Sequence, residues 1–431
     1  MEEEQLKTEQ KYTKEYACLQ VRRAGKYILT FIKWMFLAAL NGLVCGGAGC
    51  LFHTLIELAT DFRTENSYII YFLPIGGLVI VLLYRLFKEQ NVDGTNYVIR
   101  SIRTDGKVPF GMAPAILSGT VITHLLGGSA GREGAALQLG GSLGSTLGKL
   151  FRLDDKDMHV MVLCGMSAVF SALFATPLTA VVFVMEVISV GTIYYSAIMP
   201  CIFSSVTAYL LTVLLKIEPI GYSLANVPDV TAASLLQTAA MGVLFALISI
   251  ALCVTISKTH LLFNKVLKND FVRAAAGGAL IVGLTFLCGT DYNGAGMNIV
   301  NKAIADGEVF PAAFALKLVF TAITLASGFR GGEIVPTFFI GSTFGCAVAP
   351  LLGLDAGFGA ALGLVAVFCG ATNAPLASLF LSIELFGGAG IPFFAIACGV
   401  SYMLSGYFSL YKSQIIVYDK LKAIFTNRRT R

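Results

Sequence analysis

Long apolar stretches separated by short polar segments dominate the chain from about residue 27 onward. The stretches over residues 28–58, 67–83 and 197–215 reach or approach the roughly 20 residues that a helix needs to cross the hydrocarbon of a bilayer. Many further apolar stretches follow, and glycine or proline interrupts a large share of them. This pattern predicts an all-α polytopic membrane protein.

The composition favours a single membrane-embedded unit. Of the 431 residues, 56% are hydrophobic and only 13% are charged, and the mean hydropathy is +0.76. A soluble chain of this length needs more polar residues to cover its surface. The usual division of a long chain into several soluble domains therefore does not apply, and we expect one polytopic unit.

Basic residues flank the apolar region at both ends of the chain. Lysines and arginines between residues 7 and 26 precede the first span, and others between residues 420 and 431 end the chain. The positive-inside rule places both termini in the cytoplasm, which requires an even number of full crossings. This topology explains the net charge of +5, so we expect no nucleic-acid partner.

Ten cysteines are scattered through the chain without the paired spacing of a metal site or a disulfide framework. Several lie within apolar segments, including Cys45, Cys164, Cys253 and Cys369. Free cysteine packs as a small hydrophobic residue, so packing is their expected role. We expect neither a metal nor a cofactor.

Two motifs occur twice, in the same order. The run GRE at residues 131–133 recurs as GGE at 331–333, 200 residues later. The second motif is a proline that lies nine residues before a glutamate, as Pro177 with Glu186 and as Pro375 with Glu384. Such an internal duplication in a membrane protein is commonly an inverted-topology repeat with a binding site at the interface of its halves.

Both copies of the first motif lie where a glycine-broken apolar helix resumes, with Glu133 or Glu333 in the first turn. Irregular backbone at membrane depth is tolerated only where it is buried in protein or lines a cavity. The free N–H groups and the positive dipole end of a helix start bind anions. We therefore expect an anion cradle, with Glu133 placed where an anion would bind. The alternative is that Glu133 only caps its helix or pairs with Arg132.

The ordered set of motifs resembles the CLC superfamily of anion channels and proton-coupled antiporters. The resemblance rests on GREG at 131–134, the GGExxP run at 331–336, the two Pro-Leu helices and Tyr411 near the start of the tail. It implies the CLC fold, with two inverted-topology repeats of tilted and broken helices. It also implies a pore within each subunit of a homodimer.

The same resemblance divides the chain into three parts. Residues 1–26 are expected to be a cytoplasmic N-terminal segment, residues 27–411 the CLC transmembrane domain, and residues 412–431 a basic cytoplasmic tail. Within the transmembrane domain, the first repeat covers about residues 27–217 and the second about residues 230–411.

Several positions depart from the chloride-handling pattern of the family. The chain reads GTNYV at 94–98 in place of GSGIP, Ala135 in place of proline after GREG, and GEIVP at 332–336 in place of GxFxP. Val187 is neutral, whereas chloride/proton antiporters often carry an acid there for proton entry. This combination resembles the fluoride/proton antiporter branch of the family. A chloride/proton antiporter and a passive chloride channel are the alternatives.

Fluoride is a small, hard, strongly hydrated anion, so a selective site must replace its water with several firm hydrogen-bond donors. The expected donors are the backbone N–H groups of Gly134, Ala135, Ile334 and Val335, the side chains of Thr95 and Asn96, and the hydroxyl of Tyr411. The place of Tyr411 beside the anion is implied by resemblance to the pore tyrosine of the family.

A carboxylate on a flexible side chain can occupy the same cradle when the anion leaves and withdraw when it takes up a proton. Glu133 is therefore the expected gating and proton-carrying residue. Because Val187 cannot carry a proton, Glu333 is the other acid in the pathway, and we expect a proton or gating role for it. The alternative is that Glu333 is a structural helix cap.

Other polar residues in apolar segments are expected to be structural. Glu186 and Glu384 lie near helix ends at matched positions, which favours anchoring, and a lone His124 is more often hydrogen-bonded packing than a proton relay. An intramembrane hydrolase built on His124 and Ser129 is disfavoured, because no supporting acid or nucleophile elbow lies nearby. Glycines spaced by four, at 140, 144 and 148, predict close helix packing.

These features predict a secondary active transporter and not an enzyme. It is expected to exchange fluoride for protons, to export cytoplasmic fluoride and so to confer fluoride resistance. Its expected partners are fluoride, protons, a second copy of the chain and membrane lipid. Its expected location is the cell membrane, as a multi-pass protein with both termini in the cytoplasm.

Overall fold

The computed structural model describes residues 2–89, 94–104, 107–217, 219–224, 226–422 and 424–431, with side chains from Tyr16 onward except those of residues 17 and 18. The lysines predicted to flank the first span at positions 7, 11 and 14 thus lie outside the described side chains. The α-helices of the described part are α1 Glu2–Glu65, α2 Leu73–Leu86, α3 Gly94–Arg103, α4 Met112–Leu125, α5 Glu133–Leu150, α6 Asp155–Phe174, α7 Pro177–Glu186, α8 Tyr195–Leu214, α9 Ala232–Val266, α10 Asp270–Cys288, α11 Met297–Ala305, α12 Ala313–Ala326, α13 Ile334–Val348, α14 Ala356–Thr372, α15 Pro375–Phe386 and α16 Ile391–Leu404.

The order of helices repeats between the two halves. Helices α5 and α13 both start at the duplicated Gly-Glu motif, and α7 and α15 both start at the duplicated proline. Between them lie α6 and α14, which begin at a capping aspartate and end at a residue in the left-handed conformation. The matching element order is what the duplicated motifs predict.

Glycine faces bring the central helices of each half into backbone contact. Helix α5 packs on α6, and α13 packs on α14, at positions where a Cβ atom would overlap the partner helix. The closest approaches are Gly140 to Gly165, Gly144 to Met161, Gly341 to Gly363 and Gly345 to Gly359. The spacing of these glycines predicts this packing in the first half, and the structure shows the same device in the second.

Two glutamates tie the halves together through reciprocal helix caps. The carboxylate of Glu186, at the end of α7, accepts hydrogen bonds from two N–H groups in the first turn of α15, at 2.8 and 3.2 Å. The carboxylate of Glu384, in α15, accepts two hydrogen bonds from the first turn of α7, both at 2.9 Å. The anchoring role predicted for both residues is confirmed.

Seven helical stretches in the described part are long and apolar enough to cross a membrane. They include Leu19–Glu65 within α1, Tyr195–Leu214, Ala232–Val266 and Asp270–Cys288. Several shorter apolar helices, such as α4, α12 and α15, alternate with them, and these correspond to the apolar stretches that glycine or proline interrupts. The chain is a multi-pass membrane protein with all-α spans, as its sequence predicts.

The segment after Tyr411 forms a structure that the apolar pattern does not predict. Strand β2 (Ile415–Tyr418) pairs in parallel with β1 (Ser189–Val190) and antiparallel with β3 (Phe425–Arg429). The hydroxyl of Thr430 donates to the Tyr411 carbonyl oxygen at 2.7 Å. The described residues of 412–431, a segment predicted only as a basic tail, therefore pack against the helical domain.

The described cysteines are packing residues. Nine of them carry free thiols, and all of these except Cys288 are buried. The tenth, Cys18, lies outside the described side chains. Their burial among helices agrees with the packing role that the scattered spacing predicts.

Candidate anion-transport site

The two copies of the Gly-Glu motif meet at the centre of the molecule. Gly131 and Gly332 pair as an antiparallel bridge, and each N–H donates to the carbonyl oxygen of the other at 2.7 Å. A Cβ atom at Gly131 would lie 2.6 Å from the Glu133 carboxylate and 3.0 Å from Val335 Cβ, so the close approach requires glycine. This bridge aligns the starts of α5 and α13 side by side.

Glu133 places its carboxylate across both helix starts. The side chain is fully buried. Its Oε2 accepts hydrogen bonds from the N–H of Arg132 at 3.0 Å and from the N–H of Val335, in the first turn of α13, at 3.3 Å. The carboxylate thus binds the N–H of Val335, one of the donors predicted to bind an anion, and this donor belongs to the opposite repeat.

The second oxygen of Glu133 has a different environment. Oε1 accepts no hydrogen bond within the described residues. The nearest cationic atom is Arg132 Nε, at 3.8 Å, which is within ion-pair range but too long for a hydrogen bond. An unpartnered carboxylate oxygen in a buried site is costly for the charged form, so the position suits a group that gains and loses a proton.

Glu333 follows the second glycine of the same bridge. It is the residue that precedes α13, and a Cβ atom at Gly134 would lie 3.0 Å from Glu333 Oε2 and 3.4 Å from Thr95 Oγ1. The side chain of Glu333 therefore approaches the start of α5, just as Glu133 approaches the start of α13. The two predicted acids are therefore brought to the same pair of helix starts.

Thr95 and Asn96 hold neighbouring parts of the site. Thr95 Oγ1 donates to the carbonyl oxygen of Gly134 at 3.1 Å and accepts from Gln138 Nε2 at 3.2 Å. The side-chain oxygen of Asn96 accepts from the N–H of Ser413 at 2.9 Å, which tethers α3 to the segment after Tyr411. Gln138 was not predicted as a site residue; the only feature of the sequence that indicates it is a polar residue one turn after Gly134 in an apolar helix.

Tyr411 is almost fully buried, with 1% of its surface exposed. Its hydroxyl has no hydrogen-bond partner among the described residues, and the charges of Glu333 and Glu133 both lie close enough to act on it. A buried hydroxyl without a partner is unusual, and it is available to donate a hydrogen bond to a bound ligand. Its backbone is fixed by Ser409 and Thr430, so the ring is held in place.

A cavity of about 740 Å³ leads to the carboxylate of Glu133. The second half of α1, the loop from Thr290 to Gly296, the start of α11 and the first turn of α13 contribute its walls. Charged and titratable side chains line it, including His53, Glu57, Arg63 and Arg132. The cavity extends from one side of the protein as far as Glu133, whose own side chain has no exposed surface.

The remaining candidate residues have structural partners. His124 Nδ1 contacts the carbonyl oxygen of Thr120 in its own helix at 3.0 Å, which is the packing role that was expected. Ser129 Oγ shares a hydrogen bond with Thr321 Oγ1 at 3.1 Å. The structure therefore pairs Ser129 with a threonine hydroxyl and not with the histidine base that a hydrolase needs. Val187 is buried in the apolar core.

Known proteins share this architecture. The sequence profile described as voltage gated chloride channel matches residues 75–406. A chloride/fluoride channel protein from Pseudomonas syringae pv. tomato (strain ATCC BAA-871 / DC3000) is 35% identical over 396 residues, which cover 90% of this chain and 87% of that protein. The crystal structure of a CLC-type fluoride/proton antiporter superposes with a TM-score of 0.86 at 32% identity, covering 89% of this chain and 98% of that one.

A more distant structure shares the fold. The crystal structure of a slow cyanobacterial Cl⁻/H⁺ antiporter superposes with a TM-score of 0.76 at 20% identity, covering 86% of this chain and 94% of that one. The family match, the relative at 35% identity and the helix-start geometry agree with one another. The chain is therefore a membrane transport protein that belongs to the voltage gated chloride channel family, the CLC family.

Proposed function

We propose that this protein exchanges fluoride for protons and exports cytoplasmic fluoride through a pore gated by Glu133. The observation that carries the proposal is the contact between the Glu133 carboxylate and the N–H of Val335. A negatively charged group from one repeat occupies the anion-binding helix start of the other. Similarity to a fluoride/proton antiporter and to a chloride/fluoride channel protein supports the choice of ion.

Exchange follows from competition for one cradle. When Glu133 is charged, its carboxylate fills the position at Val335 and excludes an anion. When Glu133 takes up a proton, it loses the charge that the helix start attracts and withdraws, and an anion replaces it. Departure of the anion and return of the carboxylate then require release of the proton, so movement of one ion is tied to movement of the other.

Fluoride is bound by the firm donors that surround this cradle. The proposed set comprises the backbone N–H groups of Gly134, Ala135, Ile334 and Val335, the side chains of Thr95 and Asn96, and the hydroxyl of Tyr411. The Thr95 hydroxyl has a single proton, which it donates to Gly134 in this structure and would turn toward a bound anion. The unpartnered Tyr411 hydroxyl supports this assignment, since a buried donor of this kind requires an acceptor. The contact of Asn96 with Ser413 leaves its amide N–H₂ as the group that would bind an anion.

Glu333 is the second acid in the proposed pathway. Its carboxylate lies near Gly134 and within electrostatic reach of Tyr411. A proton held there neutralises charge next to the anion, so Glu333 acts in gating or in proton movement. Val187 offers no such group.

The proposed membrane orientation agrees with this direction of transport. If the basic N-terminus lies in the cytoplasm, α1 ends outside at Glu65, and the cavity at Glu133 opens to the outside. External protons then reach Glu133 directly and enter the cell as fluoride leaves. We further propose residence in the cell membrane with both termini cytoplasmic, the three-part division at residues 26 and 411, and a homodimer with a separate pore in each subunit.

Ion flux measured in proteoliposomes tests the function. Fluoride and chloride efflux are recorded separately, with the pH followed at the same time. Fluoride efflux with proton uptake and slow chloride efflux is the expected result. Coupled chloride movement would identify a chloride/proton antiporter, and anion flux without proton movement would identify a passive channel. Mixed dimers of wild-type and Glu133→Gln subunits should keep half of the activity, whereas complete inactivation would argue for a shared pore.

A further inference from the structure

His53 lies between the cavity that Glu133 lines and Arg132, the arginine next to Glu133. It lies in α1, and only 6% of its side chain is exposed. Its Nδ1 contacts Arg132 Nη1 at 2.9 Å, and its Nε2 contacts Glu57 Oε1 at 2.8 Å. Glu57 is 59% exposed and lines the cavity, so the three residues form a chain of contacts from solvent to the gating region.

The partners of His53 fix the form of its ring. A guanidinium can only donate hydrogen bonds, so Nδ1 of His53 must be the acceptor and carries no proton. The single ring proton is then on Nε2, where it is donated to the carboxylate of Glu57. The ring is thus a neutral connector that accepts on one side and donates on the other.

The hydrogen bond to the His53 ring determines the position of the Arg132 guanidinium and its charge. The guanidinium has one other acceptor in the described part, the carbonyl oxygen of Leu173 at 3.4 Å, which is a longer contact than the one to His53. Without the histidine, the exposed carboxylate of Glu57 becomes the stronger attraction and draws Arg132 into the cavity. The positive charge would then move away from Glu133.

We infer that His53 and Glu57 are positioning residues, which hold Arg132 beside the gating glutamate and thereby set the pH at which Glu133 exchanges its proton. The inference rests on the proposed role of Glu133. Arginine does not release a proton under physiological conditions, so the contacts from Glu57 through His53 to Arg132 do not form a proton relay. Protons reach Glu133 through the cavity itself, which Glu133 lines.

Other charged groups face the same cavity and set the background against which His53 acts. From α1, α4, α5 and the loop after α10 these are Asp61, Arg63, His124, Glu133 and Asp291. Lys317 of α12 is buried behind this loop, where it donates to the carbonyl oxygens of Tyr292 and Gly294. Among the residues that face the cavity, Asp61 lies one turn after Glu57 on the same helix and is exposed. It offers a matched control, because its removal changes the charge of the cavity without touching the contacts of His53.

The test compares fluoride efflux from proteoliposomes across a series of pH values, set equal on both sides, for wild type and three variants. His53→Leu removes both contacts, whereas His53→Gln keeps an acceptor and a donor on one side chain. The His53→Leu profile should move to higher pH by about one to three units, the effect of displacing a charge a few ångströms from a carboxylate. His53→Gln and Asp61→Asn should both keep the wild-type profile.

Three results would overturn the inference. The first is slower transport by His53→Leu with an unmoved profile, which indicates a purely structural role. The second is an equal shift by His53→Gln, and the third is an equal shift by Asp61→Asn. If His53→Leu does not elute as a single species, His53→Phe replaces it, because it keeps a ring at the buried position, removes both contacts and must shift the profile in the same direction. If wild type carries chloride in place of fluoride, the proposed ion is wrong, and the same comparison is made with chloride.

Discussion

Two pairs of repeat-related glutamates behave differently in this protein. Glu186 and Glu384 are symmetric: each carboxylate caps the first turn of a helix in the other half, with two hydrogen bonds apiece. Glu133 and Glu333 occupy matched sequence positions, but their environments differ. Glu133 is fully buried and accepts from both helix starts, whereas Glu333 precedes its helix and is less buried.

The difference separates structural from functional acids. A reciprocal cap binds both oxygens of a carboxylate to backbone N–H groups, so the side chain is held in place. Glu133 has one oxygen bound and one without a hydrogen bond, and a cavity reaches it. The duplication supplies acids in pairs, and the acid that we propose as the gate belongs to the pair whose two members have different environments.

Removal of the Glu133 side chain should have the largest effect. Glu133→Ala leaves the cradle at Val335 open and removes the group that carries the proton, so transport should either stop or become an anion leak without proton movement. Fluoride efflux recorded together with vesicle pH measures this. If Glu133→Ala kept wild-type coupling of fluoride efflux to proton uptake, Glu133 would have a structural role like Glu186 and Glu384.

Neutralising Glu333 should have the next largest effect. Glu333→Gln keeps the size of the side chain but cannot bind or release a proton. If Glu333 carries protons, coupled exchange should fall by about 100-fold, near the lower end of what a positioned proton-transfer group contributes. Unchanged exchange, with normal folding, would assign Glu333 to the structural class with Glu186.

The symmetric pair should affect stability and leave coupling intact. Glu186→Gln and Glu384→Gln each replace a charged acceptor by a neutral one, which should cost about 1–2 kcal/mol of unfolding free energy. Thermal denaturation in detergent should show two similar decreases in midpoint temperature. A change in the fluoride-to-proton ratio in either variant would show that a symmetric cap also takes part in transport.

The smallest effect is expected at Tyr411. Tyr411→Phe keeps the buried ring and removes only the hydroxyl, a donor worth about 0.5–1.5 kcal/mol in an ordinary hydrogen bond. Fluoride transport should slow by roughly two- to tenfold while coupling persists. Transport at the wild-type rate would place the hydroxyl outside the anion pathway.

Local sequence features predict much of this architecture. Apolar length predicts the spans, and the repeated Gly-Glu and proline motifs predict that two halves share one order of helices. The motif spacing also identifies Glu133, Glu333, Glu186 and Glu384 as residues to compare. Each of these inferences depends on residues close in sequence or related by the duplication.

The parts that sequence does not predict depend on long-range contacts. His53 and Arg132 are 79 residues apart, and nothing in the local pattern around His53 indicates its arginine partner. Strands β2 and β3 are short and lie in a charged segment, so their pairing with β1 depends on where α7 ends. The choice of Val335 as the donor to Glu133 likewise depends on the Gly131–Gly332 bridge.

The most direct test of the central claim is simultaneous measurement of fluoride efflux and proton uptake by Glu133→Gln in proteoliposomes. Glutamine matches a protonated glutamate in size but cannot release the proton, so the variant should fold normally and show no coupled exchange. Glu186→Gln, a matched substitution of a glutamate with a structural role, should exchange at the wild-type ratio. Robust coupled exchange by Glu133→Gln would contradict the mechanism and reduce Glu133 to a helix cap.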